Sequence, residues 1–120
     1  LRPAAASFTF DILSAEQVAS LHEAGILVIG MSTTVEEALA WERVGADAVI
    51  ASGTEAGGHR GTFLGRQEDA TMSSAELWPA VIRALGIPVI AAGGIMDGGD
   101  IRRALDVGAA AAQLGTAFLV

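Results

Sequence analysis

An α/β protein built on a parallel sheet is what this sequence predicts, and three observations predict it. Short apolar runs alternate with segments of helical period, four of those segments close at a glycine, and the apolar runs are continuous rather than interrupted by polar residues. Strand and helix alternation implies parallel strands joined by right-handed crossovers, and unbroken apolar strands belong to sheets covered on both faces. A hydrophobic share of 52% agrees.

The elements follow in order. Ser7–Phe10 is expected as the first strand. Ser14 with Gln17 three residues on has capping-box spacing; Val18 and Leu21 share a face, and Gly25 ends the first helix. Ile26–Ile29 reads as the second strand. Thr33 with Glu36, or Thr34 with Glu37, starts a helix whose Val35, Ala38 and Leu39 make a modest stripe ending at Gly45, and Ala46–Ala51 is the third strand. Ser73 with Glu76 offers another cap, but Pro79 breaks an established helix, so the third helix is expected near Trp78. Trp78, Val81, Ile82 and Leu85 then form a core-facing stripe closed by Gly86. Ile87–Ala92 is a strand, Asp97 or Asp100 opens the fourth helix, Gly108 ends it, and Ala109–Leu114 is the last strand. The helix-ending glycines at 25, 45, 86 and 108 leave a middle interval about twice the other two. That interval holds an insertion, and long loops in such a place are commonly functional or disordered. Five strands and four helices close either as a doubly wound sheet or as part of an eight-stranded barrel. Both put ligands at the carboxyl ends of the strands.

Composition narrows the chemistry. Cysteine is absent, which removes disulfides, a thiolate nucleophile and sulfur-based zinc sites, so no metal is expected and a reducing cytoplasm fits. A net charge of −7, with seven arginines and no lysine, disfavours nucleic acid. No apolar run reaches the roughly 18 residues of a membrane span. No signal peptide is expected. The chain opens at Leu1 and closes at Val120 inside an apolar run, so a piece of something longer is expected.

Three strand-to-helix loops are rich in glycine: Gly53–Gly65, Gly93-Gly94, and Gly115-Thr116. Adjacent glycines let backbone N–H groups approach a phosphate, and a following helix start adds partial positive charge. Without lysine, the two loops after consecutive strands are the expected anion site. His59 is the loop residue that titrates near neutrality, at about 6.5 when unperturbed. It could abstract a proton or donate to a developing anion. Glu55 is expected to anchor its loop by accepting backbone N–H bonds. Arg60 could reach a phosphate or carboxylate, pair with Glu55 or stand in solvent. Trp41 and Trp78 are expected to pack rather than stack on a ligand, and His22 to lie at the surface.

The motifs GTEAGGHRGTF at 53–63, PVIAAGGIMDGGDIRRAL at 88–105 and GAAAAQLGTAFL at 108–119 together resemble the nitronate monooxygenases, formerly 2-nitropropane dioxygenases. The resemblance implies an FMN-dependent parallel (β/α)₈ barrel, of which residues 1–120 form a partial domain holding the later strands. By that resemblance His59 is the catalytic residue near the flavin's reactive edge. Gly57 and Gly58 border the flavin ring, while Gly93, Gly94, Gln113, Leu114, Gly115 and Thr116 hold FMN, mainly through backbone N–H groups. Ser52 stands where relatives often carry glutamine, so a flavin contact there would be shorter or bridged by water. The implied reaction oxidises an alkyl nitronate with O₂ to a carbonyl compound and nitrite. His59 acts in it as base toward a nitroalkane or as donor to a nitronate. The same signature occurs in FMN- and NADH-dependent enoyl-acyl carrier protein reductases and NADH:quinone reductases. A flavin-free phosphate-binding barrel and an inactive fragment are the readings of another class. The partners implied are a small nitronate or nitroalkane and O₂, with neither nucleic acid nor membrane. A half barrel leaves two strand edges open, which favours aggregation or a homodimer.

Overall fold

The structure is a computed structural model that describes residues 2–57 and 60–119. Five strands, β1 (Ala5–Phe8), β2 (Leu27–Ser32), β3 (Ala48–Ser52), β4 (Val89–Ala92) and β5 (Ala111–Gln113), form one sheet. Four helices, α1 (Ala15–Glu23), α2 (Val35–Arg43), α3 (Ser74–Ala84) and α4 (Gly98–Asp106), connect them. Every pairing is parallel and the spatial order is the chain order, β1-β2-β3-β4-β5. A doubly wound sheet reverses its strand order at a switch point, whereas a barrel lays strands down consecutively. The chain is therefore an arc of a barrel.

The pleat sends successive side chains to opposite faces. On β2, Val28, Gly30 and Ser32 are buried against the helices. The register carries that face to Val49 and Ala51 on β3 and to Val89 and Ala91 on β4, all buried. Trp41 of α2 lies flat on this face. A Cβ on Gly30 would stand 2.0 Å from the indole, so only glycine admits the ring. The indole N–H donates to the Met31 carbonyl at 3.0 Å, and Phe8 stacks beside the ring with centroids 6.4 Å apart. Trp78 donates to the carbonyls of Ala51 and Ala92 at 3.1 and 3.0 Å, joining α3 to β3 and β4. Both tryptophans are packing residues. The opposite face carries Leu27, Ile29, Met31, Ile50 and Ile90, the positions that point into a barrel's interior.

Caps set the helix starts. Ser14 and Gln17 form the reciprocal capping box, while Thr34, Ser73 and Asp97 accept from the backbone N–H of Glu37, Glu76 and Asp100. Of the alternatives, Thr34 rather than Thr33 and Asp97 rather than Asp100 hold the cap.

Helix α3 corrects an expectation, because it starts at Ser74 and contains Pro79. A proline there removes one hydrogen bond, to the Ala75 carbonyl, and crowds it. The Ser73 cap and the burial of Leu77, Trp78 and Val81 on one stripe outweigh that loss.

Strand bounds also shift. Ile26, Ala46 and Ala109 each send their N–H back to the preceding helix, to Leu21, Trp41 and Ala104. They belong to the helix-closing motif around left-handed Gly25, Gly45 and Gly108 rather than to a strand. Gly86 does not close α3 this way. Leu85 turns extended and the Gly86 N–H donates to the Glu42 carboxylate at 2.7 Å. The first strand sits two residues early because Phe10, at φ +77°, leaves the β region.

Candidate functional site

At the carboxyl ends of the strands lies a cavity of about 500 Å³, lined by Ser52 from β3, Ala92 from β4 and Gln113 from β5, with Met31 and Thr9 beside them. Loop residues complete the wall: Glu55, Ala56, Gly57, Arg60 and Gly61 after β3, Gly93–Met96 after β4, and Gly115 and Thr116 after β5. Volumes of this size suit small-molecule and cofactor sites. The expected residues Ser52, Gly57, Gly93, Gly94, Gln113, Gly115 and Thr116 thus come together. Leu114 does not line the cavity; its side chain packs against the hydrophobic core between two residues that do. Gly58 and His59 lie outside the described residues.

Gly57, Gly61, Gly93 and Gly94 stand where side chains have no room, whereas a Cβ on Gly115 would meet nothing within 4 Å. Gly93 and Gly94 hold φ of +99° and +75°, and a Cβ at these positions would approach Ser74 Oγ at 2.9 Å and Glu55 Cβ at 2.8 Å. A Cβ on Gly57 would stand 2.5 Å from Thr116 Oγ1, so the loop after β3 lies against the turn after β5. Among the described residues no acceptor meets the N–H of Gly94, Gly115 or Thr116. The start of α4 is different. Asp97 caps it, and the Asp100 carboxylate accepts from the Met96 N–H at 2.9 Å, so its own side chains answer the helix dipole that the sequence offered to an anion.

Carboxylates and one guanidinium pin the loop after β3. Glu55 accepts from the Ser74 N–H at 3.0 and 3.2 Å and from the Thr54 hydroxyl at 2.8 Å, which makes it the expected anchor. Burial pushes its pKa up, but the bonds from Thr54 and Ser74 win and hold it below the ordinary value. Arg60 does not pair with Glu55; it donates to the carbonyls of Ala70 and, at 2.9 Å, Ser52. Burial lowers its pKa against the opposing fields of Glu37 and Glu55, and its Nε has no partner among the described residues. Arg60 also lines the cavity, where it is the one cationic side chain among the described lining residues. The residue that the sequence did not single out is Glu37. It is completely buried, and its two oxygens accept from the N–H and hydroxyl of Thr33 and from the N–H groups of Phe63 and Leu64. Its position in the first turn of α2 read only as part of a cap.

The profile of the nitronate monooxygenases matches residues 1–120, the whole chain. The chain belongs to the nitronate monooxygenase family. Nitronate monooxygenase from Pseudomonas aeruginosa is 50% identical over 119 residues, 99% of this chain and 34% of that protein. Nitroalkane oxidase from Streptomyces ansochromogenes superposes with a TM-score of 0.91 at 52% identity, over 96% of this chain and 34% of its own. FabK from Thermotoga maritima superposes at 0.76 with 37% identity, over 96% and 33%. The chain spans about a third of the length of the curated relatives it matches. Its structural relatives are barrel enzymes, which agrees with the consecutive strand order. Among the described residues no helix is long and apolar enough to cross a membrane, and no group of three metal-ligating side chains stands together.

Proposed function

We propose that residues 1–120, as one partial barrel domain, form the cofactor- and substrate-facing wall of an FMN-dependent enzyme that oxidises alkyl nitronates with O₂ to a carbonyl compound and nitrite. The observation that carries this reading is the convergence of the turns at 93–94 and 115–116 on one cavity with the glycine loop after β3.

The residues fit a phosphate-bearing flavin. Gly94, Gly115 and Thr116 offer amide donors that no described residue takes up, Gly57 and Gly93 keep the wall free of side chains, and Gln113 and Ser52 add polar groups at the strand ends. Backbone donors suit a dianionic phosphate in a chain without lysine. When bound, FMN supplies the redox couple.

The chain's own residues supply position and protons. The amides after β4 and β5 would hold the phosphate, Arg60 leaves a positive field in the wall that favours an anionic substrate, and the imidazole of His59 acts as base toward a nitroalkane or donates a hydrogen bond to a nitronate oxygen.

The test is His59→Asn in the full-length protein. FMN affinity should stay within about threefold of wild type while turnover of an alkyl nitronate falls about 100-fold or more. Normal turnover in that variant refutes the assignment. Anaerobic bleaching of the flavin by NADH, before any nitronate is added, moves the reading to an NADH-dependent reductase.

A further inference from the structure

We propose that Glu37 is the positioning residue that sets the loop after β3 at the cavity wall, a role resting on the functional reading above only for what the loop serves. Glu37 sits in the first turn of α2, with no exposed surface. One carboxylate oxygen accepts from Thr33 N–H at 2.7 Å and Thr33 Oγ1 at 2.6 Å. The other accepts from the N–H groups of Phe63 and Leu64, the latter at 2.9 Å. Four donors from two loops therefore meet one side chain. Thr33 and Thr62 hydroxyls, 2.8 Å apart, close the same junction.

An ionised carboxylate is the side chain that accepts on both oxygens, and charge-assisted bonds to backbone N–H are the strong ones. Glutamine has the same shape but turns an NH₂ toward one pair of donors, leaving buried N–H groups facing N–H. The consequence is local. Arg60 ties the flanks of this junction together through the carbonyls of Ser52 and Ala70, and Glu55 holds the loop's start on Ser74. At the junction itself, the described side-chain contacts of the Phe63 and Leu64 backbone are those with Glu37. Gly57, Arg60 and Gly61 of this loop line the cavity, so a loop released at 63–64 loses its fixed distance from the turns at 93–94 and 115–116.

The experiment is Glu37→Gln in the full-length protein, read by hydrogen-exchange mass spectrometry and by turnover per bound flavin. Amides at 61–65 should exchange at least tenfold faster while peptides from α1 and β5 keep their rates, and turnover should fall about tenfold. Added to His59→Asn, the substitution should cause less than its own fall of about tenfold, because it acts through the loop that carries His59. Unchanged exchange at 61–65, an equal rise across the whole chain, wild-type turnover, or a proportionate further fall in the double variant each overturns the proposal. If Glu37→Gln does not fold, Glu37→Asp, which keeps the charge but sets it back by one methylene, should give the same local exchange. Should the wild-type protein refuse FMN, the functional reading fails, and local exchange alone decides the role of Glu37.

Discussion

The two ends of the sheet are built differently. At the amino ends of the strands three of the four helix-to-strand connections are short and alike: a left-handed glycine at 25, 45 or 108, followed by an apolar residue bonded back to its helix. Asp47 ties this end together by accepting from the Val28 N–H at 2.7 Å and from His22 Nε2 at 2.7 Å. At the carboxyl ends the loop after β3 is much the longest, Gly57, Gly61, Gly93 and Gly94 stand where a Cβ would strike another segment, and buried or anchored carboxylates hold the loops. The difference teaches where this fold spends its glycines. Those at the amino ends satisfy one helix each, whereas those at the carboxyl ends let separate loops touch around a cavity.

The largest effect expected from breaking this contrast is at Gly94. Gly94→Ala adds a Cβ in left-handed backbone against Glu55; it should cost about 2 kcal/mol or more in stability. Flavin titration should show FMN affinity at least tenfold weaker. Gly25→Ala sharpens the comparison, since its φ of +76° is as strained but nothing stands within 4 Å of the new Cβ. Denaturant titration should read a loss of about 1–2 kcal/mol, with FMN affinity unchanged. If the two variants behave alike, the ends are not functionally distinct.

The smallest effect concerns pH. Burial pushes the Asp47 carboxyl up, but the Val28 N–H and His22 outweigh it and hold the pKa below the ordinary 3.8. A depressed pKa gives stability that is present above the unfolded value and is lost as pH falls through the folded one. His22 and Asp47 are about a third exposed, so the contribution is on the order of 1 kcal/mol. Asp47→Asn should therefore lower stability at neutral pH and flatten its loss below about pH 4, without altering turnover. A variant as acid-sensitive as wild type contradicts this assignment.

The elements were legible in the sequence because local rules govern them. Ser14 sits at the cap that spacing reveals, Thr34 and Asp97 are each one of two caps that spacing offers, and the glycines at 25, 45 and 108 end helices as expected. What failed was decided by tertiary packing: Pro79 is carried inside α3 by the burial of Leu77, Trp78 and Val81, and Gly86 answers to Glu42, far away in sequence. The cavity's glycine turns were visible as motifs, and the sheet order brings them together. The contact of Gly57 with Thr116, the carbonyl partners of Arg60 and the four donors on Glu37 were not visible. The Gly57 and Glu37 contacts join loops from different strands, and the Arg60 bonds fold one long loop back on itself; no periodicity encodes either.

The central claim is that the loops at the carboxyl ends of β3, β4 and β5 hold a flavin phosphate and ring. Its most direct test is the visible absorption spectrum of the purified full-length protein, before and after FMN is added. The account predicts flavin bands with about one FMN per chain, displaced by neither dialysis nor gel filtration. A colourless protein that takes up no FMN would contradict it.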